Sequence, residues 1–199
     1  MNNQPTSSQQ PSVAIRNYSF LVFYLVVLSA LGSFVNDMYA PALPSMARLF
    51  GCSVSTAQMG LTMGMIGLAL GQLILGPVSD RVGRKPVLVG SMAVFIVAAV
   101  ISVFSPTIHF FLGCRVFQGI GAAGAYFLAR TIPADLYGGR ALAKLMAIVG
   151  AINGLAPAAS PVIGGIITDA WSWKGVFWVL AAFALVLIAL SPLSRESLP

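Results

Sequence analysis

Six long apolar runs, separated by short polar breaks, constrain this chain more than any other feature. They cover residues 18–40, 54–77, 86–105, 108–132, 145–168 and 173–190. A helix needs roughly 20 mostly apolar residues to cross a bilayer. Within lipid, only helices satisfy the backbone while leaving breaks this short. Composition agrees: 58% of residues are apolar and 8% charged, against about 25% charged in an ordinary soluble domain. The expected fold is an all-α membrane protein with six transmembrane helices within residues 16–195. A polar tail rich in Gln, Ser and Pro occupies residues 1–15.

Orientation follows from Lys and Arg. Arg16, Arg81, Arg84, Lys85, Arg130, Arg140, Lys144 and Arg195 fall on one side of the six runs, and only Arg48 and Lys174 on the other. The bias predicts a multi-pass protein of the inner or plasma membrane with both termini cytoplasmic. Trp171, Trp173 and Trp178 cluster at the start of the sixth run, as an aromatic belt at the outer surface would. The net charge of +6 is scattered and forms no basic stripe, so no nucleic-acid partner is expected. Cys52 and Cys114 have no metal-ligand spacing, and no His, Cys or carboxylate cluster suggests a metal site. No Gly-x4-Gly-Lys-[Ser/Thr] loop is present to bind ATP. An enzyme is not expected.

Four motifs carry more information. The first, Gly76-Pro77-Val78-Ser79-Asp80-Arg81-Val82-Gly83-Arg84-Lys85-Pro86, joins the second and third spans. Its glycines permit a tight turn, Pro86 suits a first helical turn, and Asp80 sits among three cations. The second, Arg115-Val-Phe-Gln118-Gly119-Ile-Gly121-Ala-Ala-Gly124, lies in the fourth span. A buried arginine there costs about 2.5–3.5 kcal/mol on insertion scales, so it needs an acid, carbonyls or water. Its glycines offer a face for close helix approach. The third, Asn36-Asp37-Met-Tyr39-Ala-Pro41, places an acid within the first span, and a kinked helix is expected to run on past Pro41 as far as Arg48. Pro41 frees the carbonyl of Asp37. The fourth, Gly150-x3-Gly154-x2-Pro157-x3-Pro161-x2-Gly164-Gly165, sets small residues at four-residue spacing on the fifth span. Asp37 and Arg115 are expected to share a wet pocket in which moving a proton changes their interaction. Two lesser segments are Arg130…Asp135, readable as a solvated charge pair, and Gly165-Ile-Ile-Thr-Asp169, which echoes Gly76-Pro-Val-Ser-Asp80 as an inverted three-plus-three repeat would.

The order Gly-x3-Asp-Arg-x-Gly-Arg-Lys resembles the loop signature of the major facilitator superfamily, and the other motifs resemble its helices one, four and five. The first helix is most similar to drug exporters of the bicyclomycin-resistance (Bcr/CflA) type, although Ser29 and Ser33 occupy the region where some relatives carry a second acid. Ser160 stands where the antiporter signature of the fifth helix has glycine. The resemblance implies the N-terminal half of a twelve-helix transporter, with 196–199 beginning the central loop. It implies proton-driven efflux of drugs or small metabolites through a cavity lined by spans one, two, four and five, with Asp80 latching the two halves. The proton gradient would be the energy source, with no cofactor. The partners implied are a small-molecule substrate, the lipid bilayer, and a missing C-terminal half or a second copy. A symporter or uniporter half, or a non-transporting membrane subunit, are the alternatives.

Overall fold

A computed structural model describes residues 18–191. The tail at 1–15, Arg16, Arg195 and the segment 196–199 lie outside the described residues. The elements are α1 (Tyr18–Asp37), α2 (Leu43–Phe50), α3 (Val54–Val82), α4 (Arg84–Val103), α5 (Ile108–Leu136) and α6 (Gly139–Leu190), with a short 3-10 turn at Ala40–Ala42. The described residues are helical throughout, apart from short turns.

The 52-residue α6 is two helices joined at Ser172, whose φ of 67° and ψ of 174° are not helical. At about 1.5 Å per residue its two arms total ~78 Å, more than two crossings of ~30 Å. The first arm (139–171) is the fifth span and the second (173–190) the sixth. The described residues therefore form six rods, as the apolar runs require.

Rod lengths exceed the apolar runs at the basic end. α3 continues through Pro77 to Val82, α5 through Pro133 to Leu136, and α6 begins at Gly139 rather than near 145. Arg140 and Lys144 interrupt hydropathy there without interrupting the helix. The turn from α3 to α4 is made by Gly83 alone, at φ 99°, a conformation in which a side chain is disfavoured. Gly76, expected to share in that turn, lies inside α3. Pro86 is the third residue of α4, as expected for a first turn. At the opposite end Ser53 Oγ accepts from the Thr56 amide at 3.1 Å and Thr107 Oγ1 from Phe110 at 3.3 Å, capping α3 and α5.

The core lies where α1, α4, α5 and the second arm of α6 meet. Trp173 belongs to it. That indole is 4% exposed and packs against Phe50, Phe111 and Phe177. The expected tryptophan belt is therefore reduced to Trp171 and Trp178, which are 70% and 48% exposed. The hinge at Ser172 turns the next side chain inward, which sequence position alone does not disclose.

Candidate functional site: a buried arginine and the acid beside it

Four glycines on α3, Gly60, Gly64, Gly67 and Gly71, follow one another at spacings of four, three and four. All four are buried. Side chains at Gly67 would strike the Val116 backbone, and at Gly119 the Gly64 carbonyl. α3 and α5 thus meet backbone to backbone. Gly121 does the same for α4, where a side chain would meet the Phe95 backbone, while one at Gly124 would meet the Ser91 side chain. Sequence reading found the α5 glycines as a packing face but passed over their partners on α3, although the four-three-four spacing marks one helical face.

This contact builds the pocket of Arg115, which is fully buried. Its Nε donates to the Gly60 carbonyl at 3.1 Å, Nη1 to Gln118 Oε1 at 2.7 Å, and Nη2 to the Val35 carbonyl at 2.9 Å and Asn36 Oδ1 at 3.2 Å. The guanidinium carbon sits 4.4 Å from the centre of the Tyr39 ring. A side chain at Gly64 would lie 2.9 Å from both Arg115 Nη2 and Asn36 Oδ1. Gln118 completes the network by donating from Nε2 to Ser102 Oγ at 3.0 Å and the Ala98 carbonyl at 3.4 Å. One cation thereby links α1, α3, α5 and, through Gln118, α4. Neutral acceptors satisfy it, as a buried charge requires.

The expected direct interaction of Arg115 with Asp37 is not made. Among the described residues Arg115 forms no ion pair, and the neighbouring Asn36 takes the contact. A helix turns about 100° per residue, so Asn36 and Asp37 cannot both aim at one group. Asp37 is the last residue of α1 and half-buried. It makes no hydrogen bond or ion pair among the described residues. Val26, Ala30, Ser33 and Asp37, at helical spacing, form a half-buried stripe along α1. Beyond it the helix breaks, as Pro41 implies, and resumes as α2 up to Phe50.

The stripe borders the first arm of α6. Ser29, fully buried, donates to Asn153 Oδ1 at 2.6 Å across this seam. Further along, a side chain at Gly164 would strike the Met38 carbonyl, and one at Gly165 would come 4.0 Å from Pro41. The small-residue pattern of the fifth span is therefore only partly a packing face. Gly150 and Gly154 meet nothing within 4 Å, and Pro157 is exposed. Pro161 is half-buried, and the buried member beside it is Ser160.

At the basic end Arg84 is 7% exposed. Its Nη1 lies 2.8 Å from Asp80 Oδ1 and 2.9 Å from Ser79 Oγ, and its Nε 2.9 Å from Asp135 Oδ2. The structure thus joins the loop signature to the end of α5. It corrects the reading of Arg130 and Asp135 as a pair, because Arg130 donates to the Tyr126 hydroxyl at 2.6 Å and stacks on that ring. Arg81 is exposed and Lys85 half-buried. Among the described residues no three His, Cys, Asp or Glu side chains are grouped to hold a metal ion.

The family profile described as Major Facilitator Superfamily matches residues 25–197. The chain belongs to the Major Facilitator Superfamily. Relatives of this superfamily member include the Uncharacterized MFS-type transporter YdgK of Bacillus subtilis, 35% identical over 90% of this chain and 45% of its own length. The Chloramphenicol resistance protein of Pseudomonas aeruginosa is 34% identical over 78% of this chain and 38% of its own length. The Multidrug resistance protein MdtL of Escherichia coli is 34% identical over 85% and 42%. The chain spans about half or less of the length of these relatives, none of which is named as an enzyme. Among solved structures, the D-xylose-proton symporter superposes with a TM-score of 0.78 at 17% identity, over 90% of this chain and 49% of that one. The human organic anion transporter MFSD10 gives 0.59 at 21% identity, over 96% and 49%. These likenesses concern the fold. The chain is a multi-pass membrane protein with the architecture of one half of a major facilitator transporter.

Proposed function

We propose that this chain is the first half of a proton-coupled exporter of drugs or small metabolites, of the Bcr/CflA type. The observation that carries the reading is the fully buried Arg115, tied to α1 through Val35 and Asn36 one residue before Asp37. A non-transporting subunit gains nothing from a cation this costly to bury, and intramembrane charge marks function by default. The names of the relatives, which include a chloramphenicol and a multidrug resistance protein, support drugs as substrates.

In this reading Asp37 exchanges a proton with the outer side, and the basic end faces the cytoplasm. The carboxylate stands free of partners in the arrangement described, beside a helix break. A charge change there acts on α1, and α1 carries two of the acceptors of Arg115. Protonation of Asp37 therefore shifts α1 relative to the α3–α5 pair. The Asp80–Arg84–Asp135 cluster makes and breaks at the opposite end as the halves rock. The other half is supplied by a further six-helix segment or by a second copy, and the cavity forms between them.

The test is chloramphenicol efflux driven by an imposed pH gradient, in vesicles holding this chain with its other half. Asp37→Asn is expected to abolish gradient-driven efflux while leaving insertion intact. Undiminished efflux in that variant removes the reading.

A further inference from the structure

Two apolar furrows run along the outside of α4, and they share Val94. The one at the basic end, of about 270 Å³, lies between α3 and α4 and is lined by Leu75, Val78, Val82, Pro86 and Gly90, among others. The second, of about 640 Å³, continues between α4 and α5 past Val97, Ile101 and Gly113. From Pro86 to Val94 the first furrow extends about 12 Å along the helix, most of the ~15 Å depth of one leaflet.

Two observations distinguish this furrow from ordinary lipid-facing surface. Gly90 lines it, and a side chain there would meet nothing within 4 Å. A mid-helix glycine is disfavoured by about 1 kcal/mol relative to alanine, and the usual return is the close approach of another body. Among the described residues no element approaches Gly90. The second observation is charge. Arg81 precedes Val82 at the mouth of the furrow, is exposed, and makes no hydrogen bond or ion pair among the described residues. Lys85 precedes Pro86 on the facing wall. The nearest carboxylate in sequence, Asp80, is held by Arg84. An apolar slot running most of the depth of one leaflet, with Arg81 and Lys85 next in sequence to the residues at its polar end, has the form of a receptor for an acyl chain ending in a phosphate.

We propose that the α3–α4 furrow binds an anionic phospholipid, with one acyl chain over Gly90 and the phosphodiester at Arg81. The site is separate from Asp37 and Arg115 and does not depend on the transport reading.

The test uses the purified chain in detergent, mixed with equimolar phosphatidylglycerol and phosphatidylcholine, and native mass spectrometry of retained lipid. Preferential retention of one phosphatidylglycerol is expected. Arg81→Gln should lower that preference roughly fivefold, the effect of one basic group near an anionic surface. Gly90→Phe fills open space and should reduce retention of the lipid without unfolding the chain. Equal retention of the two lipids overturns the proposal. So does a preference unchanged in both variants, equal competition by soluble glycerol phosphate, or a dimer peak that Gly90→Phe abolishes.

Discussion

Arg115 Nη2 lies 2.9 Å from the carbonyl oxygen of Val35, eighty residues earlier in the chain. The fourth-span cation is thus fastened to the backbone of α1, and its fan of donors reaches three helices at once. Lysine has one short-range charge and cannot reproduce that planar fork. Arg115→Lys is expected to destabilise the bundle by about 2 kcal/mol or more, the worth of one or two charge-assisted hydrogen bonds. Unfolding by dodecyl sulfate titration from mild detergent measures it.

Asp37 lacks bonded partners among the described residues, so its removal should separate function from folding. Asp37→Asn is expected to change stability by less than about 0.5 kcal/mol while eliminating the response of efflux to an imposed pH gradient. The same titration and the vesicle assay, run on one preparation, check both halves of this expectation.

Glycines in two parts of the chain should respond in opposite ways. A side chain at Gly67 meets the Val116 backbone, which cannot step aside. Gly67→Leu should prevent assembly of α3 with α5, a loss beyond about 4 kcal/mol. Gly150 meets nothing, so Gly150→Ala should be neutral or stabilising by up to about 1 kcal/mol. Protease resistance of the two variants in detergent distinguishes them.

Arg84 holds two carboxylates of different exposure, 65% for Asp80 and 21% for Asp135. Water screens the first pair more than the second. Double-mutant cycles with Arg84→Gln should give a coupling of about 1–2 kcal/mol to Asp135→Asn and less than about 1 kcal/mol to Asp80→Asn. Equal couplings would contradict the geometry.

Ser172 occupies a backbone region that glycine alone enters without penalty. Ser172→Gly should stabilise the turn between the fifth and sixth spans by about 1 kcal/mol, read as a rise in the midpoint of thermal unfolding.

The six rods were legible because lipid makes span length a direct function of hydropathy. Their ends were less so, since a helix leaving the bilayer loses its apolar signal but not its hydrogen bonds, as at Gly139–Lys144. Arg115 announced itself by cost alone. Its partners did not, because carbonyls of Gly60 and Val35 have no sequence signature. An acid at position 37 suggested an ion pair, yet the direction in which α1 faces gives the contact to the amide at position 36. The tie from Asp135 to Arg84 was hidden for a related reason: Arg84 lies 51 residues away, and the nearer Arg130 stacks on a ring of its own helix.

Where α3 and α5 touch, glycine backbone lies on glycine backbone. Rods meshed this closely cannot slide lengthwise without first prying apart, so they travel as a single beam. Any change of shape in the bundle must then be taken up elsewhere, and the break after Asp37 is the place where the chain has already given up its helical stiffness.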